Sequence, residues 1–171
     1  MLLNSTTTIL AASLLFAASP AVAGPGHSAA GEPGKAANVS KTIVVSAKET
    51  DDGQMLFEPH DIHVEKGTTV RIVLKNVGQV EHELYLGTPG EVETHAKEML
   101  KFPEMEHDEP SAVRVDPGHQ GEIIWEFTKA GTYSFACLIP GHSEMGMVGD
   151  VTVNETPNRG VSEAPRTTET R

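Results

Sequence analysis

Three side chains able to hold a soft metal stand at equal intervals: Cys137, His142 and Met147, in the pattern C-x4-H-x4-M. They offer a thiolate, an imidazole and a thioether on one short segment. Thiolate and thioether favour Cu(I), whereas imidazole suits Cu(I) and Cu(II) alike. The chain of 171 residues has a single cysteine, which excludes an intrachain disulfide, a CxxC redox pair and any multi-cysteine zinc or iron–sulfur site. Zinc would in any case favour further Cys or His over a thioether. A Cys–His nucleophile pair is the other chemistry available to these residues. No oxyanion or orienting motif accompanies the pair, and a short β-rich chain leaves little room for a substrate cleft, so no enzyme is expected.

The elements that must position these residues are short and strand-like. Segments 43–46, 61–64, 69–75, 81–86, 112–115, 122–128, 132–137 and 148–153 are rich in β-branched or aromatic residues. Turn signals separate several of them: Glu65-Lys66-Gly67, Asn76-Val77-Gly78, Asp116-Pro117-Gly118 and Lys129-Ala130-Gly131. This pattern predicts an all-β sandwich rather than a parallel α/β sheet. Residues 91–101 are the exception, a short helix in the long connection after the fourth strand.

Strand parity then adds a fourth donor. Side chains two apart share a face, which groups Cys137 with Tyr133 and Phe135, and Met147 with Gly149, Val151 and Val153. His82 is grouped with Val80, Leu84 and Leu86. Cysteine, histidine and methionine are thereby expected to point inward at one end of a sandwich. With His142 they form His2Cys plus a weak axial Met, the donor set of type 1 copper sites that transfer single electrons. Met145 is the rival axial ligand; inward parity at the start of the last strand favours Met147.

These residues also carry a family resemblance. FEPHDIHVEKGTTVRIVLKN (57–76), EHELYL (81–86) and AGTYSFACLIPGHSEMGMVGDVTV (130–153) resemble the cupredoxins, the type 1 copper proteins that include plastocyanin, azurin and rusticyanin. The resemblance spans nearly all of residues 41–153. It implies an eight-stranded Greek-key β-sandwich with one copper on His82, Cys137, His142 and Met147. The four-residue gap between Cys137 and His142 is similar to that of rusticyanin. One departure stands out: many cupredoxins place Asn or Ser after the first histidine, and here that residue is Glu83, which leaves a blue or a green site open.

Outside this domain the chain is simpler. Residues 1–23 have an apolar run (9–18) too short to span a bilayer and end in Ala21-Val22-Ala23, the pattern of a secretory signal peptide. The charged residue such a peptide usually carries near its start is absent. Residues 24–40 are expected to be a flexible leader and 154–171 a flexible tail. Export to the periplasm would put a free thiol in an oxidising compartment, which is better explained if a metal occupies it.

The formal net charge of -11 argues against nucleic acid and favours a redox partner with a basic docking surface. The insert holds His95, Met99, Met105 and His107 among many acids, a possible second and weaker copper site; the alternative is an acidic helix with Met99 and Leu100 packed on the sandwich. His27, His60, His63 and His119 are expected to be surface or loop residues. Two functions follow: single-electron transfer by an exported type 1 copper protein, or copper tolerance. In the second, the same site and the His/Met side chains sequester or oxidise Cu(I), as the resemblance to exported cupredoxins linked to copper resistance implies.

Overall fold

The computed structural model describes residues 28–103 and 109–156; the signal-peptide segment, His27, Met105, His107 and the tail beyond residue 156 lie outside them. Among the described residues ten strands form two five-stranded sheets. The first runs β1 (Glu32–Pro33), β8 (Gln120–Glu126), β5 (Thr69–Asn76), β2 (Lys41–Glu49), β3 (Met55–Glu58) in spatial order. The second runs β4 (Asp61–Glu65), β10 (Val148–Asn154), β9 (Gly131–Ala136), β6 (His82–Gly87), β7 (Ala112–Val115). β2 with β5 and β4 with β10 are parallel pairs, and the others are antiparallel.

Alternation builds the core. Ile72 and Leu74 of β5 are buried between partly covered or exposed neighbours, as are Ile62 and Val64 of β4 and Val151 and Val153 of β10, and Val70 is buried beside Thr69. They meet Phe57, Trp125, Phe127 and Phe135 in one continuous apolar cluster that also takes in Cys137 and Met147. Burying each large side chain of this kind contributes roughly 1.5–3 kcal/mol.

The sandwich expected from the sequence is present, with two strands added to the eight. β3 is four residues long and lies between an Asp-Asp-Gly turn and Pro59, too short to announce itself. β1 has two residues and a proline, so only its pairing with Glu126 and Trp125 defines it. That pairing also corrects the reading of 24–40 as a flexible leader, because its described part lies against the sheet. Ala30 is buried, its carbonyl accepts from Trp125 Nε1 at 3.4 Å, and Gly34 N donates to Ile124 O at 2.8 Å. At the other boundary Asn154 belongs to β10, and Thr156 Oγ1 donates to Lys66 O.

The predicted helix is α1 (Pro89–Met99), beginning two residues earlier than its hydrophobic pattern suggests. A capping box sets that start. Thr88 Oγ1 accepts from Glu91 N, and Glu91 returns a bond to Thr88 N. Glu91 also binds Ser28 Oγ at 2.6 Å and Ala29 N at 3.0 Å, tying the leader to the helix. Burial pushes its carboxyl up, but the bonds from Ser28, Thr88 and Ala29 outweigh that and leave it below the ordinary glutamate value. Helix α1 lies over the outer face of β6 and β9, where Met99 packs with Tyr85, Ala136 and Leu138. Leu100, expected to pack with it, is 65% exposed.

Candidate metal centre

Three of the four donors sit at or beside strand ends, and His142 lies on the loop between two of them. His82 is the first residue of β6, Cys137 follows the last residue of β9, and Met147 precedes the first of β10. The 137–147 loop is closed at its base, where Cys137 N donates to Met147 O at 3.0 Å. Inside it, His142 N donates to Ile139 O and Met147 N to His142 O. Gly141 (φ 93°) and Gly146 (φ 106°) take the left-handed conformation these tight turns require, which L side chains rarely adopt. The loop is therefore a fixed bracket.

The donor atoms of His82, Cys137 and His142 lie within 4.8 Å of one another, the only such His/Cys/Asp/Glu group among the described residues. Cys137 Sγ is 3.3 Å from His142 Nδ1. The two imidazoles meet edge to face with centroids 5.2 Å apart. His82 and Cys137 are fully buried, whereas His142 is half-buried at the rim. Met147 is completely buried in the same cluster as Cys137, while Met145 is 46% exposed. The inward parity expected of Cys137, Met147 and His82 holds; Val80 alone of their grouped neighbours turns out to solvent.

Electrostatics suit a metal. Burial pushes the Cys137 thiol up to about 12, even though the backbone N–H groups of Glu83 and Ile139 bond its sulfur. Burial, followed by the neighbouring His82, lowers the His142 pKa, keeping that ring neutral. His82 Nδ1 is buried and has no hydrogen-bond partner, an arrangement that costs free energy unless something binds it. A cation there satisfies the orphaned nitrogen and stabilises the thiolate that burial otherwise disfavours. The residues present fit a soft metal.

Three surrounding residues support the donors; Asn76 stands out in the sequence only as part of a turn signal, and Glu49 and Arg114 carry no local sequence signal. Asn76, buried at the end of β5, donates from Nδ2 to Val80 O (2.7 Å) and Val115 O (2.9 Å) and accepts from Gly78 N, shaping the turn that delivers His82. Glu49, at the end of β2, accepts from His82 Nε2 at 2.7 Å and from Gln79 N at 2.8 Å. Burial raises the Glu49 pKa, yet the bonds from Gln79, His82 and Val80 bring it below the ordinary value, so it is a carboxylate at neutral pH. Arg114 of β7 reaches Glu83 Oε2 at 3.2 Å and Glu81 at 3.6 Å.

Glu83 thus plays its part through the backbone. Its N–H donates to Cys137 Sγ at 3.3 Å, while its buried carboxylate turns to the opposite face of β6, toward Arg114. The insert behaves differently. His95 and Met99 are buried against the sandwich, with His95 stacked on Tyr85 at 4.3 Å and 7°. His60, His63 and His119 are exposed, as expected.

A sequence model of copper binding proteins of the plastocyanin/azurin family matches residues 44–154, a span that contains His82, Cys137, His142 and Met147. This chain belongs to that family. It is a cupredoxin, and copper is its cofactor. It is 51% identical over 123 residues to a copper-resistant cuproprotein, CopI, of Rubrivivax gelatinosus, covering 72% of each chain. It is 38% identical over 176 residues to the CopI of Pseudomonas aeruginosa, covering 85% of this chain and 94% of that one. Among solved structures it is similar to reduced auracyanin from Roseiflexus castenholzii, with a TM-score of 0.55 and 23% identity over 67% of this chain and 98% of that one. That last likeness concerns the fold.

Proposed function

We propose that this cupredoxin protects the cell envelope against copper by means of a type 1 site that exchanges single electrons. What carries the reading is the donor cluster itself: a buried thiolate donor and two imidazoles in a fixed bracket, with one ring at the protein surface. Copper bound there supplies one electron at a time, between Cu(I) and Cu(II). Cys137 and Met147 would supply soft sulfur, and His82 and His142 nitrogen acceptable to both oxidation states. The closed loop holds the donors in one geometry, which keeps reorganisation small when an electron moves. His142 is the exit, through a rim that includes the exposed Pro140 and Met145.

The role in copper tolerance draws its support from the identity to CopI proteins described as copper-resistant. In this reading the signal peptide directs the chain to the periplasm, where the site takes up excess copper or oxidises Cu(I) by passing its electron to a redox partner. The formal charge of -11 suits copper ions or a basic redox partner. A second reading, a respiratory electron carrier, is favoured by the half-buried His142 ring. A deletion strain separates them: copper sensitivity with normal respiration supports tolerance, and a respiratory defect supports the carrier. Optical and EPR spectra with a copper count per chain test the site in both, since a type 1 centre requires intense visible absorption and one copper.

A further inference from the structure

Glu49 is a charged side chain in direct contact with an imidazole of the metal centre. A carboxylate only accepts hydrogen bonds, so the 2.7 Å contact with His82 Nε2 requires the ring proton on that nitrogen. The lone pair is then left on Nδ1, the buried atom without a partner, on a ring that is grouped with Cys137 and His142. The tautomer needed for metal binding is selected before any metal arrives.

Glu49 is itself held in place. Gln79 N and Val80 N donate to it at 2.8 and 3.4 Å, from the turn that Asn76 shapes. A Cβ on Gly78 would lie 2.5 Å from both carboxylate oxygens, so this turn has a glycine where the carboxylate passes. The Glu49 side chain is 23% exposed, which leaves its charge only partly screened by water. A fixed negative charge one imidazole away from the metal attracts Cu(II) more strongly than Cu(I).

We propose that Glu49 is a positioning residue that sets the metal-binding tautomer of His82 and biases the bound copper toward Cu(II). The inference rests on copper occupying the centre as read above. It gives that reading a direction: stabilising Cu(II) makes the reduced site a better electron donor, so copper taken up as Cu(I) passes its electron to the redox partner, which is reduced as the bound copper becomes Cu(II).

The test compares the wild-type chain with E49Q, which keeps an oxygen acceptor without the charge, and E49A, which keeps neither. In the copper-loaded proteins E49Q shifts the reduction equilibrium toward Cu(I) by about tenfold, or about 59 mV for one electron, with the visible charge-transfer absorption retained. E49A lowers Cu(II) affinity by about 10–100-fold. In the metal-free proteins, nitrogen-15 NMR finds His82 protonated on Nε2 in the wild type and in a mixture of tautomers in E49A. Equal potentials for wild type and E49Q overturn the proposal, as does an unchanged His82 tautomer in a folded E49A. Should E49A not fold, the potential of E49Q decides alone. A wild-type protein that binds copper without thiolate charge transfer would instead overturn the copper-site reading, and so is told apart from failure of the Glu49 role.

Discussion

Two regions of this cupredoxin carry histidine and methionine a few residues apart, the 137–147 loop and helix α1. In the loop, Cys137 and His142 converge with His82, one donor atom of each lying inside 4.8 Å, and His82 Nδ1 has no hydrogen-bond partner. In the helix, His95 lies flat on Tyr85 and Met99 fills a small apolar cluster with Ala136 and Leu138. The residue types are alike and the surroundings are opposite. A donor becomes part of a centre when the fold keeps its lone pair away from other partners; otherwise it is a packing group with polarisable atoms.

The sharpest way to break this comparison is to remove one residue from each region. Cys137→Ala abolishes the intense visible absorption and costs more copper affinity than the ~100-fold typical of losing an outer partner. Met99→Ala leaves spectrum and copper stoichiometry intact but lowers stability by about 2–5 kcal/mol in denaturant titration, the usual cost of emptying a buried methionine site. Loss of a bound copper in Met99→Ala would make the helix a second metal region after all.

Met147→Leu sharpens the contrast from the other side. It conserves volume, so stability changes by less than about 1.5 kcal/mol, whereas the spectrum and the reduction potential both shift. A smaller effect belongs to Glu91, whose pKa in the folded chain is lowered. Its clamp on Ser28 and Ala29 is complete at neutral pH and is lost as pH falls through the folded value, below 4.5. Because Glu91 is only half-buried, water screens it and the change stays under about 1 kcal/mol. Hydrogen exchange at Ala29 N should follow it, and Glu91→Gln should remove the pH dependence. Met145→Leu is expected to change the charge-transfer spectrum hardly at all; a large change would transfer the axial role to Met145.

How much of this was legible in the sequence depends on the range of the interaction. The C-x4-H-x4-M loop, the eight main strands and the inward parity of Cys137 and Met147 are local patterns, and they stand out because turns and alternation act over a few residues. Glu49 lies 33 residues before His82, and nothing near either one announces their bond. Glu83 was legible as a departure, and strand parity sets it on the face opposite His82, but its burial was not legible. Helix α1 packs on that face of β6 and Arg114 reaches the carboxylate, so a residue that alternates outward is nonetheless buried. The ordered leader was hidden for a similar reason, because Gly, Pro and Ala composition describes flexibility and cannot reveal a distant strand that accepts two residues.

That two-residue strip also bears on how copies of the molecule meet. Without it, β8 would be an outer strand of seven residues with its backbone groups open to another chain. β1 and Gly34 cover Ile124, Trp125 and Glu126, and Pro33, lacking an N–H, offers a poor template for further pairing. Gly31 lets the strip lie so close, since a Cβ there would collide with the Glu126 carbonyl and the Trp125 indole. The described part of the leader thus covers the 124–126 end of this border of the sandwich, where it disfavours strand-by-strand growth.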